Sequence, residues 1–143
     1  MRTIMKFEEY VKKGIVKKQG PDKSRAESLI EDSEENYSLL VELIDKMKLS
    51  DKTANLVVKN AYDVIMQLIR AKMLLNGFSS SGFGAHEAEV SYLEELNFSE
   101  NEVSFANELR YFRNGIMYHG KKLDKVYALK VLDFLKKVRR KLG

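Results

Sequence analysis

Apolar residues recur at steps of three and four along almost the whole chain, the spacing of amphipathic helices, and no stretch alternates as a strand would. Ile4, Phe7 and Val11 share one face of a short first helix that ends near Gly14 and the Gly20-Pro21 break. From Pro21, which suits a first helical turn, a long helix carries Ala26, Leu29, Ile30, Ser33, Tyr37, Leu40, Val41, Ile44 and Met47 inward. Its opposite face, with Glu31, Asp32, Glu34 and Glu35, belongs to solvent. Ser50 can cap the next helix, whose stripe runs Ala54, Val57, Ala61, Ile65, Leu68 and Ile69 until Asn76-Gly77 stops it. This helix is apolar over more than half its circumference, which predicts a place at the centre of a bundle.

Residues 79–84, rich in serine and glycine, lead to a short helix around residues 86–96. Such a loop can cradle a phosphate, but no Lys-Ser/Thr pair follows, so a plain connector is the better reading. Ser99 with Glu102 three residues on forms a capping box opening a helix that bears Phe105, Leu109, Phe112 and Ile116. Asp124 can cap a last helix with Tyr127, Val131, Phe134, Leu135, Val138 and Leu142 on one face. Connections this short make successive long helices antiparallel neighbours. The predicted fold is an all-α, up-and-down antiparallel helical bundle of four to five main helices plus a short N-terminal helix. Residues 1–20 are an arm or short helix, and 21–143 are the single bundle domain.

Composition narrows the chemistry. The chain has 143 residues, 44% hydrophobic and 32% charged, which suits one domain with its own core and excludes the disordered and membrane-embedded classes. It has no cysteine and two histidines, which rules out disulfides and thiolate zinc and leaves too few ligands for most metal cages. No metal or cofactor is expected. No apolar run approaches the roughly 20 residues that span a bilayer, and the first ten residues lack a signal-peptide core, so the expected location is the cytoplasm, with no membrane partner. The net charge of +4 leans toward anionic partners such as RNA. Lys12, Lys13, Lys17 and Lys18 form one cluster and the tail Lys136, Lys137, Arg139, Arg140 and Lys141 another, and such runs are usually solvated faces. Lys121 and Lys122 gain weight because they adjoin the densest polar cluster in the chain, residues 109–120.

Within that cluster Arg113 sits at the margin of the apolar stripe, about 60° from Ile116 and about 40° from Leu109 on a helical wheel. His119 lies six residues on, roughly 9 Å along a straight helix and about 120° around it. Either Gly115 and Gly120 loosen the turn so that the imidazole swings back, or a second copy of the chain completes the cluster across a two-fold axis. Read without chemistry, Arg113 caps carbonyls or pairs with Glu108, and His119 stabilises a helix end.

Arg113, polar Asn114 and His119 after five intervening residues resemble the hallmark of the HEPN domains, an arginine, usually followed by a polar residue, and a histidine after four to six intervening positions. Gly20-Pro21-Asp22, Ala61-Tyr62-Asp63, Asn76-Gly77-Phe78 and Ala85-His86-Glu87-Ala88 extend the resemblance over most of the chain. It implies a HEPN-like bundle that dimerises so that two Arg–His segments face each other in a cleft, which in many members is a metal-independent ribonuclease. Members paired with a nucleotidyltransferase antitoxin often carry a tyrosine two residues after the histidine, and here that position is Lys121.

The residue types fit that chemistry. Cleaving RNA without metal needs a base for the ribose 2′-hydroxyl proton, an acid for the leaving oxygen and a cation for the phosphorane charge. An imidazole can do either proton job near neutral pH, and a guanidinium can grip phosphate bidentately. Asn114 can hold a phosphate oxygen or orient the histidine. One chain offers one such histidine and a symmetric dimer offers two. The expected catalytic residues are therefore Arg113, Asn114 and His119, with Tyr118, Lys121, Lys122 and His86 as substrate contacts. The expected partners are a second copy of the chain, RNA and, if a toxin–antitoxin pair is involved, a small nucleotidyltransferase. The competing expectation is a non-catalytic interaction or nucleotide-binding module that partners a nucleotidyltransferase.

Overall fold

In a computed structural model, residues 3–143 are described, apart from the side chains of Met117 and Tyr118. Six helices and two short strands follow in the order α1 (Phe7–Lys12), β1 (Val16–Lys18), α2 (Lys23–Met47), α3 (Ala54–Leu75), β2 (Phe78–Ser80), α4 (Ala85–Ser91), α5 (Glu100–His119) and α6 (Lys125–Leu142). The fold is the all-α bundle that the periodicity predicts.

Helix α3 is the central element, as its broad apolar surface requires: Val57, Val58, Ala61, Val64, Ile65, Leu68, Ile69 and Met73 are all buried. Helix α2 runs antiparallel to it, for the Asp22 N–H at its start donates to Leu74 O at 2.9 Å near the end of α3. Helix α6 follows the direction of α3. Its first residue bonds Asp51 through the Lys125 N–H at 2.8 Å, and its far end reaches back to Glu34 of α2 through Arg139. Helix α5 returns antiparallel to α6 along a seam of rings: Phe105 meets Phe134 edge-on at 5.2 Å between centroids, and Phe112 meets Tyr127 in the same way at 5.3 Å. Among the described residues no helix is long and apolar enough to cross a membrane.

Local signals set most helix ends. The Ser99–Glu102 capping box is present in both directions, and the Asp124 carboxylate accepts the Tyr127 N–H at 2.8 Å. Helix α2 starts two residues later than expected, because Asp22 caps it by accepting the Arg25 N–H at 3.1 Å and leaves Pro21 outside. At α3 the cap position belongs to Thr53 rather than Ser50, whose own N–H donates to the Thr53 hydroxyl at 3.0 Å. Val41 and Met47, expected inside, are about half exposed, because α2 has a neighbour along only one side and buries a narrower stripe than its apolar residues could cover.

The absence of strands is corrected by a two-stranded antiparallel sheet that pairs Val16 with Ser80, Lys17 with Ser79 and Lys18 with Phe78. Three residues per strand are too few for alternation to show, and β2 lies in the serine-rich stretch read as a connector. Gly77 makes the pairing possible: its φ is +82°, and a Cβ there would lie 2.6 Å from the Gln19 carbonyl oxygen. Of the two readings of residues 1–20, the short helix is the one that forms. Phe7, Tyr10 and Val16 belong to the same core as α3, and Phe7 packs against Phe78 and Tyr92 at 5.1 and 4.6 Å.

Candidate functional site

Helix α5 is continuous through His119 and closes on Gly120 in the left-handed conformation, φ +64°, with the Gly120 and Lys121 N–H groups both donating to Gly115 O. Gly115 therefore does not loosen the turn. Its lack of a side chain instead gives room to Lys121, whose Cδ would lie 3.2 Å from a Cβ placed there. A regular helix keeps Arg113 and His119 of one chain apart, at roughly the 9 Å axial separation of six residues.

Arg113 is half-buried between α5 and α3. Its guanidinium lies 5.5 Å from the centre of the Tyr62 ring, and its Nη2 is 3.5 Å from Asp63 Oδ1, so its acidic neighbour is Asp63 of α3 rather than Glu108. Asn114, beside it, is partly exposed, and His119 at the helix end is exposed. The expected contact at Tyr118 falls on a side chain outside the described residues.

Lys121 folds back over the Phe112 ring, its Nζ 4.6 Å from the centroid, while Asn55 fixes the backbone of this turn by donating to Lys121 O at 2.8 Å and accepting the Leu123 N–H at 2.8 Å. Lys121, Lys122 and Lys130 then surround a cleft of about 310 Å³ whose floor includes Phe112 and Tyr127. Lys130 was not singled out in the sequence; its place on the α6 face beside Val126 and Tyr127 is the signal that would have found it. His86 is exposed at the start of α4, and no hydrogen bond or ion pair among the described residues joins it to Arg113 or His119.

Behind Arg113 lies a charged network that pattern reading passed over. Glu89 of α4 is buried and takes a two-pronged ion pair from Arg70, plus the Ser80 hydroxyl at 2.9 Å. Glu87, also buried, accepts the Tyr10 hydroxyl at 2.8 Å and faces Arg110 at 3.6 Å, while Arg110 donates twice to Asn107 at 3.1 and 2.9 Å. Burial pushes the Tyr10 hydroxyl up to about 12, helped by the Glu87 carboxylate and opposed by the Met5 N–H. Tyr62 lies among Arg70, Arg110 and Arg113, and burial pushes its hydroxyl far above the usual phenol range. Arginines 70, 110 and 113 thus lie around one buried ring, two of them firmly engaged by acceptors and Arg113 only loosely.

No protein-family model matches this chain, and a search of curated proteins finds no match either.

Proposed function

We propose that the chain is a metal-independent endoribonuclease of HEPN type that works as a homodimer, with Arg113, Asn114 and His119 of both copies around a shared cleft. The observation that carries this reading is Arg113, on the same helix as an exposed imidazole. Its guanidinium is half-buried, its Nε has no hydrogen-bond partner among the described residues, and the Asp63 carboxylate stands 3.5 Å away. A cation held this way is suited to the extra charge of a phosphorane, and an exposed histidine is suited to exchanging protons with substrate.

In the proposed reaction one imidazole removes the proton of a ribose 2′-hydroxyl, whose oxygen attacks the adjacent phosphorus. The P–O5′ bond breaks, and the imidazolium so formed returns its proton to the departing 5′-oxygen. The products are a 2′,3′-cyclic phosphate and a 5′-hydroxyl. Because the straight helix separates Arg113 from His119 within one chain, each reacting centre draws its arginine and histidine from different copies. Phe112 and Ile116 pack against the core margin, so the apolar surface left for dimerisation on α5 includes half-exposed Tyr111. A cytoplasmic location, and a toxin role with a nucleotidyltransferase partner, belong to this proposal.

Purified protein is expected to cut unpaired RNA in excess EDTA and to leave cyclic phosphate ends, with His119→Ala slower by about 100-fold or more. Arg113→Lys also impairs cleavage, since an ammonium keeps the charge but loses the planar fork. Equal cleavage by wild type and His119→Ala marks a contaminant. No cleavage by either transfers the reading to a non-catalytic nucleotide-binding module.

A further inference from the structure

Two buried polar atoms without a hydrogen-bond partner among the described residues fall on adjacent side chains, Tyr62 Oη and Arg113 Nε. Tyr62 is only 3% exposed. A buried hydroxyl that makes no hydrogen bond is a net loss to the fold that phenylalanine would avoid, so its presence among three arginines calls for a reason. Arg70 is satisfied by Glu89 and Arg110 by Asn107. Arg113 is not: Asp63 stands 3.5 Å away, near enough to pair in charge and too far for a good hydrogen bond, and Asp63 is itself half exposed. Two unpaired donors therefore lie on packed side chains of the α3–α5 seam, with a loosely held carboxylate, Asp63, at its solvent edge.

We propose that Tyr62 Oη and Arg113 together form a receptacle for a non-bridging oxygen of an RNA phosphodiester, and that Asp63 is its placeholder, displaced when the phosphate arrives. This rests on the reading of Arg113 as a phosphate-binding residue and adds two residues to it. Asp63 marks the entrance, because it is the exposed member of the three. Arg113 turns its guanidinium from the carboxylate to the phosphate, which supplies the acceptor both donors lack. Burial keeps the Tyr62 hydroxyl protonated, so it donates throughout the pH range of the folded chain.

The test is binding of an uncleavable single-stranded RNA, methylated at every 2′-oxygen, followed by fluorescence anisotropy. Tyr62→Phe is expected to weaken binding by about tenfold, the loss of one hydrogen bond to a charged group, while its thermal midpoint stays level or rises because an unpaired hydroxyl has gone. Asp63→Asn, at a half-exposed position, is expected to tighten binding several-fold and to leave the fold intact. Unchanged affinity in Tyr62→Phe overturns the receptacle, as does weaker binding in Asp63→Asn, which would make Asp63 a post that positions the arginine. Failure of the wild-type chain to bind overturns it as well. Binding with these signs but without cutting of an unmethylated oligonucleotide retains the receptacle and removes the ribonuclease reading.

Discussion

Arg70 on α3 and Glu89 on α4 are joined by two parallel hydrogen bonds, Nε to Oε2 at 2.7 Å and Nη2 to Oε1 at 3.0 Å. The carboxylate is almost fully buried and the guanidinium is a third exposed. Removing the acid strands both Arg70 and the Ser80 hydroxyl, although Arg70 can turn toward water. Glu89→Ala is therefore expected at the lower end of the cost of breaking a buried pair, about 3 kcal/mol. In a chain of this size that lowers the thermal midpoint by roughly 10 °C, read by circular dichroism at 222 nm. A shift under about 2 °C would mean that the network stabilises nothing.

Glu102 links the start of α5 to α6. Its carboxyl is held below the usual carboxylate range, first by a hydrogen bond from Lys137 and then by the Ser99 N–H. A depressed folded value contributes stability that is complete above the unfolded value and is lost as pH falls through the folded one. Glu102→Gln keeps an acceptor for Ser99 and loses the charge, so it is expected to cost about 0.5 kcal/mol at pH 7. Urea titrations from pH 7 down to pH 3 should show the difference between the two proteins closing with acidification. A difference constant in pH would assign the effect to packing.

A shared site makes a prediction that a site within one chain does not. Arg113→Ala and His119→Ala proteins, each inactive alone, should regain activity when mixed under conditions that exchange subunits. Half of the dimers are then mixed, and each holds one intact centre out of two, so about a quarter of wild-type activity is expected. No recovery from a mixture shown by sedimentation to contain dimers would confine the chemistry to single chains.

The cleft of Lys121, Lys122 and Lys130 has a separate signature. Lys122→Ala or Lys130→Ala should weaken single-stranded RNA binding evenly across sequences and reduce the salt slope of log K by about 0.7 for each lysine that meets a phosphate. The cleavage positions should stay the same. A slope equal to that of the wild type would remove these lysines from the RNA path.

What could be read from the chain and what could not divides by range. The Ser99–Glu102 box, the Asp124 cap and the central place of α3 depend on residues within a few positions of one another, and the pattern shows them directly. Glu87 and Glu89 looked like ordinary polar residues on a short connecting helix. Their burial depends on Tyr10, Arg70 and Arg110, which are 77, 19 and 23 positions away. The same limit explains Arg113: a reading along one helix offers Glu108 as its partner, and only the packing of α5 on α3 brings Asp63 to it. Arg113, Asn114 and His119 could be singled out from local sequence, but the surroundings that make Arg113 unusual could not. Tyr62 carried a signal in its place on the inward face of α3, between Val58 and Ile65, since a buried hydroxyl there needs a partner that no neighbour in sequence supplies.

The pairing of β1 with β2 bears on how the chain finds its fold. Val16 and Ser80 lie 64 positions apart, and closing a flexible loop of that length costs on the order of 4 kcal/mol in chain entropy. Helices α2 and α3, however, occupy most of that interval and zip together antiparallel, with the Asp22 N–H already against Leu74 O at the base of the pair. Once they have zipped, the strands meet across a few residues and need no search. The helical hairpin is the part to form early and the sheet is a late clasp. Substitutions in the α2–α3 seam should therefore slow refolding, while weakening the clasp at Val16 should mainly hasten unfolding.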